Sequence, residues 1–182
     1  MSETSLDRTK FAELVLYAAY RCTDDPEFGA IKMAKILWRS DTIFYANYGR
    51  SITGAEYQRL EFGPAARAYR PVERELIKAN DAAVAVQRIH GYRSTRLVAI
   101  REPNLNVFSH EEIAIIDAVI EDVKKKTATQ VSDETHGIVW ELSQPGETIP
   151  YSAVLVSDIP LHLSAREKAC ADDLAGRIDE AG

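Results

Sequence analysis

The sequence predicts an α+β fold that is mainly helical: a compact helical domain with a small antiparallel β-hairpin or three-stranded sheet. Apolar residues recur at helical spacing through most of the first 50 residues and again from 109 to 126. Between these regions, two runs rich in β-type residues flank Gly91 and predict a pair of strands. Because the helical segments are longer, helices should supply most of the core.

Two helices are predicted in the amino-terminal quarter. The first begins after Thr4 or Ser5, either of which can cap it, and runs to about Cys22. The second runs from about Ala30 to Tyr48 and carries apolar and aromatic residues on one broad face. Asp41 lies in the middle of that face, so we expect it to be buried at least in part and to need hydrogen-bond partners or a cation.

The middle of the chain predicts turns and strands. Gly49 should end the second helix in a left-handed cap. A short extended run is predicted from Ala55 to Phe62, closed by Gly63-Pro64, and this run could add a third strand to the hairpin formed by residues 82–89 and 94–100. A further helix is predicted from Pro71, where the missing amide is harmless, to near Asn80.

The second half predicts more helix. Ser109 and Glu112 form a capping box for a helix that ends at the lysines 124–126. Residues 127–143 predict one or two short helices interrupted at Gly137, and residues 149–156 predict an extended segment. We therefore expect one domain over residues 1–160, followed by an acidic helix over 161–182 that packs on this domain or on a partner.

Charge and composition narrow the classes of function. The net charge is −6, and the 22 basic residues are spread along the chain, which argues against direct DNA binding. The two cysteines, Cys22 and Cys170, do not suggest a disulfide framework. With neither a signal sequence nor an apolar run of membrane-spanning length, the sequence predicts a cytoplasmic protein that does not enter membranes.

Common catalytic and cofactor motifs are missing from the sequence. There is no Walker or dinucleotide loop, no HExxH, no CxxC pair and no nucleophile elbow, so we expect no cofactor and no metal site. His136 lies four residues before Trp140, which would place both on one face of a helix. Either His136 is a base or a partner contact, or it is a core histidine bonded to a carboxylate such as Asp41; we favour the second interpretation.

Several short motifs follow one another in a set order: a lysine-containing helix leading to Asp41, then Gly49 with Ile52-Thr53-Gly54, then Tyr57 and Gly63-Pro64, and later Ser132, Thr135-His136 and Trp140. A closing Gly146, Ile149 and Tyr151 follows. In this order and spacing, the sequence from about Leu6 to Tyr151 resembles the Panacea domain of the antitoxin SocA-like family.

This resemblance implies a phage-associated, non-enzymatic antitoxin that neutralises a cognate toxin by binding it directly. In at least one branch of the family, such a protein acts as an adaptor that delivers the toxin to a AAA+ protease. The resemblance also implies a central constellation that fixes the fold or contacts the partner. Its members are Lys35, Asp41, Tyr45, Thr53, Gly54, Tyr57, Gly63, Pro64, Ser132, His136, Trp140 and Tyr151.

Two other functions stay open at this point. The first is a small hydrolase in which Asp41 and His136 form an acid–base pair, because a carboxylate beside an imidazole can serve general base catalysis. The second is an accessory protein of a phage or mobile element that binds a host factor and has no dedicated toxin. The resemblance favours the antitoxin over both.

Overall fold

The computed structural model describes residues 5–89, 91–134 and 138–155. Within them, the fold is α+β and mainly helical, which confirms the predicted class. The helices are α1 (Arg8–Arg21), α2 (Ala30–Tyr48), α3 (Tyr69–Lys78), α4 (His110–Lys124), α5 (Ala128–Asp133) and α6 (Ile138–Leu142). The strands are β1 (Tyr57–Leu60), β2 (Gly63–Ala66), β3 (Ala82–Ile89), β4 (Tyr92–Ala99) and β5 (Thr148–Ile149).

Helix α2 is the central element. It contacts α1, α4, α5 and β2, so most of its circumference is covered by other parts of the chain. A helix covered in this way must place polar residues in the interior, and Lys35 and Asp41 are both fully buried. As predicted, α2 ends at Gly49, which has a φ of 69° and donates its N–H to the carbonyl of Tyr45 at 2.8 Å.

The left-handed cap of α2 predicts a small, purely conformational effect for Gly49→Ala. A Cβ at this position would meet no atom within 4 Å, so the cost comes only from the positive φ. We expect the free energy of unfolding to fall by about 1 kcal/mol, measured by urea denaturation. Ala46→Gly, in the exposed last turn of α2, tests helix propensity without the cap; a Gly49→Ala variant as stable as the natural chain would contradict the prediction.

The ends of the other helices show how local sequence sets their boundaries. Asp7 caps α1 by accepting from the amide of Lys10 at 2.9 Å, so the prediction of Thr4 or Ser5 as the cap is wrong. Asp7 also donates its own amide to the Thr53 carbonyl, which ties this start to the loop after α2. The predicted capping box of α4 is confirmed, with both Ser109 and Glu112 taking part.

The strands form two separate sheets, in the orders β2-β1-β5 and β3-β4. The prediction that the extended run of residues 55–62 supports the later hairpin is wrong, because β1 pairs with β2 and β5 instead. Gly63-Pro64 does not close this run but begins the returning strand, with Leu60 opposite Gly63. Gly63 has a φ of 105°, which permits the tight reversal, and a proline is tolerated because β2 is an edge strand.

The predicted hairpin on either side of Gly91 is confirmed as β3 and β4. Its base is anchored by buried Leu97 and by Arg96, which donates to backbone carbonyls of the α1–α2 connection. Farther out, Val86 and Tyr92 are exposed. We refer to β3 and β4 together as the arm.

The last described residues correct one further prediction. Only Thr148–Ile149 is extended, as β5, and Tyr151–Leu155 forms a 3-10 turn packed against α2. Val156, the helix expected from Ser164 and the boundary between residues 1–160 and 161–182 lie outside the described residues. None of the helices that the structure describes has the length and apolarity needed to cross a membrane.

Candidate functional site

A buried carboxylate organises the junction between α2 and the loop that follows it. Asp41 accepts hydrogen bonds from the amide of Thr53 at 2.8 Å, from the Thr53 hydroxyl at 2.5 Å and from the Tyr57 hydroxyl at 2.8 Å. All three side chains are buried. We call these residues the Asp41 cluster. Its hydrogen bonds join the middle of the central helix to the start of β1, which the chain reaches only after leaving α2 and turning back.

The electrostatics of the Asp41 cluster follow from its burial. Loss of solvent raises the pKa of Asp41 to about 6, and the hydrogen bonds from Thr53 and Tyr57 offset part of that increase. Burial and the nearby Asp41 charge also raise the pKa of the Tyr57 hydroxyl well above its usual value, so this hydroxyl stays a donor. The cluster can therefore hold a carboxylate in the interior, but its oxygens are engaged and have no contact with solvent.

The loop between α2 and β1 has a conformation that suits glycine. Gly54 has a φ of 70°, and its amide donates to the Ser51 hydroxyl at 3.0 Å. This turn brings the Thr53 amide and hydroxyl to the same carboxylate. The motif Ile52-Thr53-Gly54 thus supplies the donor, the turn and a buried apolar side chain at consecutive positions.

Aromatic rings close the Asp41 cluster on one side. Tyr57 packs edge-on against Trp38, with ring centroids 5.0 Å apart, and against Tyr151 at 6.0 Å. Tyr45 stacks on Tyr151 at 5.5 Å. The hydroxyl of Tyr151 donates to the Ala55 carbonyl, and burial raises its pKa. The two tyrosines from opposite ends of the motif region therefore meet in one aromatic group.

A second group of motif residues surrounds the turn between β1 and β2. We call Leu60, Glu61 and Phe62 the tip. Three donors from three different helices reach its backbone: Lys35 Nζ and Ser132 Oγ donate to the Phe62 carbonyl, the latter at 3.0 Å, and Trp140 Nε1 donates to the Leu60 carbonyl at 3.1 Å. We call Lys35, Ser132 and Trp140 the clamp. Gly63 and Pro64, which follow the tip, are both buried.

Lys35 is the most unusual member of the clamp. It is fully buried, and loss of solvent lowers its pKa to about 7, although the charge of Asp133 acts in the opposite direction. At another member of the clamp, the Arg59 guanidinium lies 4.5 Å from the ring centroid of Trp140. Arg59, Leu60 and Phe62 were not among the predicted site residues, because none of them belongs to a motif. The available signal in the sequence was a phenylalanine directly before Gly63-Pro64.

Eleven of the twelve residues of the predicted constellation lie in the described part of the chain, and the structure gathers them around the Asp41 cluster, its aromatic group and the clamp. Thr135 and His136 lie outside the described residues, so the expected partnership of His136 with Asp41 stays a prediction. In the segments that the structure describes, no three His, Cys, Asp or Glu side chains converge as metal ligands would.

The comparison with known families gives a match. The family model described as "Antitoxin SocA-like, Panacea domain" matches residues 33–141, which is more than half of the chain. The matched range begins just before Lys35 and ends just after Trp140, so it includes both the Asp41 cluster and the clamp. The comparisons with curated proteins and with solved structures give no match.

Proposed function

Because the chain belongs to the antitoxin SocA-like family with the Panacea domain, we propose that it is a non-enzymatic antitoxin that neutralises a cognate toxin by binding it directly. The observation that supports this proposal is that the polar motif residues make hydrogen bonds within the protein. Asp41 accepts hydrogen bonds from buried donors, and Lys35, Ser132 and Trp140 donate to backbone carbonyls. These hydrogen bonds hold the loop after α2 and the turn between β1 and β2 in place, and a binding protein needs such a fixed surface.

The same geometry weighs against the hydrolase alternative. A general base must come within hydrogen-bond reach of the proton that it removes. Asp41 is fully buried beneath aromatic rings and already accepts three hydrogen bonds, so a substrate has no path to its oxygens in this conformation. The raised pKa of Asp41 is explained by burial alone and does not require a catalytic role.

Charge indicates the kind of toxin surface that fits. The chain carries a net charge of −6, so a toxin with a basic binding surface would be attracted over a distance and oriented on approach. We place this interaction in the cytoplasm. The accessory-protein alternative differs only in the partner, which would be a host factor with no toxin encoded beside this chain.

Co-expression with the product of the neighbouring reading frame tests the proposal. We expect that product to stop growth when expressed alone, and we expect this chain to restore growth and to co-purify with it. Rescue without co-purification, or a harmless neighbour, would contradict direct neutralisation of that product. Rescue that disappears in a strain lacking AAA+ proteases would favour the adaptor role instead.

A further inference from the structure

Three helices direct polar side chains to the backbone of the tip. The clamp donors come from α2, α5 and α6, yet all of them end on the carbonyls of Leu60 and Phe62. The residues that supply them lie 27, 70 and 80 positions from their acceptors along the chain. A short hairpin turn can form without such support, so this convergence fixes the tip in one conformation.

The clamp has a cost in stability, which comes from burying Lys35. Burying the ammonium group of Lys35 is unfavourable, and one turn carbonyl is its described hydrogen-bond acceptor. An apolar side chain of similar size would fill the same space without this penalty. The arrangement is understandable if a rigid tip has a use, because a loop that is already ordered loses less entropy when it binds a partner.

The tip presents apolar side chains that the core does not use. The carbonyls of Leu60 and Phe62 accept hydrogen bonds from the clamp, while the two residues are 46% and 54% exposed. A rigidly held, exposed aromatic side chain is a typical anchor residue in protein interfaces. Two exposed acidic residues accompany it, since Glu61 lies between Leu60 and Phe62 and Asp133 directly follows Ser132 of the clamp. The neighbouring Arg59 is only partly exposed, and its guanidinium lies over the ring of Trp140.

We propose that the tip is the surface with which this chain binds its toxin, and that Phe62 enters an apolar pocket of the toxin whose rim is basic. The inference rests on the proposed function and adds the location and chemistry of the interface. Phe62 and Leu60 supply the apolar contact, Glu61 and Asp133 supply charge complementarity, and the clamp supplies the fixed geometry. The motif residues that surround the tip carry the resemblance to the family, which explains why the toxin is the occupant.

The arm is the competing surface. It also exposes apolar side chains, with Val86 58% exposed, but its exposed charges are the basic Arg88 and Arg93. An arm of this composition would suit an acidic partner. Unlike the tip, the arm is not held by motif residues, since its anchoring by Arg96 involves the α1–α2 connection rather than the clamp. We therefore use the arm as the matched control.

The test compares Phe62→Asp with Val86→Asp in the full chain. The two positions are similarly exposed, and both variants add one negative charge outside the core. We expect Phe62→Asp to weaken binding to the purified toxin from the neighbouring reading frame roughly 30-fold or more, with loss of growth rescue, and Val86→Asp to change it by about twofold at most. Thermal unfolding of each variant verifies the fold, and Phe62→Ser provides a second tip variant.

Each outcome decides the matter. Binding of both tip variants with the natural affinity would overturn the inference, and loss of binding in Val86→Asp alone would assign the interface to the arm. A chain that does not bind the toxin even in its natural form would overturn the proposed function and this inference with it. Natural binding with unaffected tip variants would overturn only the inference.

Discussion

Asp41→Ala is expected to lower the free energy of unfolding by about 3 kcal/mol or more. The substitution removes the acceptor of three hydrogen bonds and leaves the Thr53 amide, the Thr53 hydroxyl and the Tyr57 hydroxyl without it in a region that water does not reach. Each unsatisfied buried group has a desolvation cost, and the loop loses its attachment to α2. Urea denaturation followed by circular dichroism measures the effect.

Two further variants make the Asp41 result interpretable. Asp41→Asn keeps the volume and one acceptor oxygen, so its loss of stability should be smaller than that of Asp41→Ala. Asp24→Asn removes a carboxylate that is mostly exposed and pairs with Lys124 at the surface, and it should change the unfolding midpoint little. If Asp41→Ala unfolds at the same urea concentration as the natural chain, the Asp41 cluster does not fix the fold as we argue.

Features that depend on neighbouring residues could be predicted from the sequence. The course of α2, its end at Gly49 and the capping box at Ser109 depend on residues within one or two helical turns. The burial of Asp41 was also predictable, because the periodicity of α2 placed it on the apolar face. Its partners were not, since Thr53 and Tyr57 approach it only after the chain reverses direction.

Features that depend on distant residues could not be predicted from local patterns. The extended run of residues 55–62 has no local signal that distinguishes pairing with β3 from pairing with β5, and β5 lies about 90 residues away along the chain. The contacts of the clamp could not be predicted either, because a lysine on an apolar helix face does not indicate which backbone carbonyl it will contact. The structure shows the contacts of the motif residues that it describes, and Thr135 and His136 are not among them.

Lys35→Met is expected to remove a pH dependence of stability that the natural chain shows above neutral pH. The pKa of Lys35 is about 7 in the folded state, against an ordinary value of 10.5. Between these two pH values the unfolded chain binds more protons than the folded chain, so the free energy of unfolding rises as pH increases. The shift corresponds to a change on the order of 5 kcal/mol over that range. Below pH 7 the folded state bears the full cost of a buried ammonium group.

The difference between the natural chain and Lys35→Met isolates this effect from other groups. Burial raises the pKa of Cys22 to about 12 and also raises the pKa of the Tyr57 hydroxyl. At high pH, the ionisation of these groups in the unfolded chain lowers the free energy of unfolding, and it does so in both proteins. Urea denaturation at several values from pH 7 to 9 should show a rise in the natural chain that the variant lacks, with the variant equally stable or more stable at pH 7. If Lys35→Met binds the toxin with the natural affinity, the hydrogen bond from Lys35 is unnecessary for binding, and Ser132 and Trp140 are enough to hold the tip. A variant that is more stable yet binds less tightly would show that Lys35 is retained for the geometry of the tip, at a cost in stability.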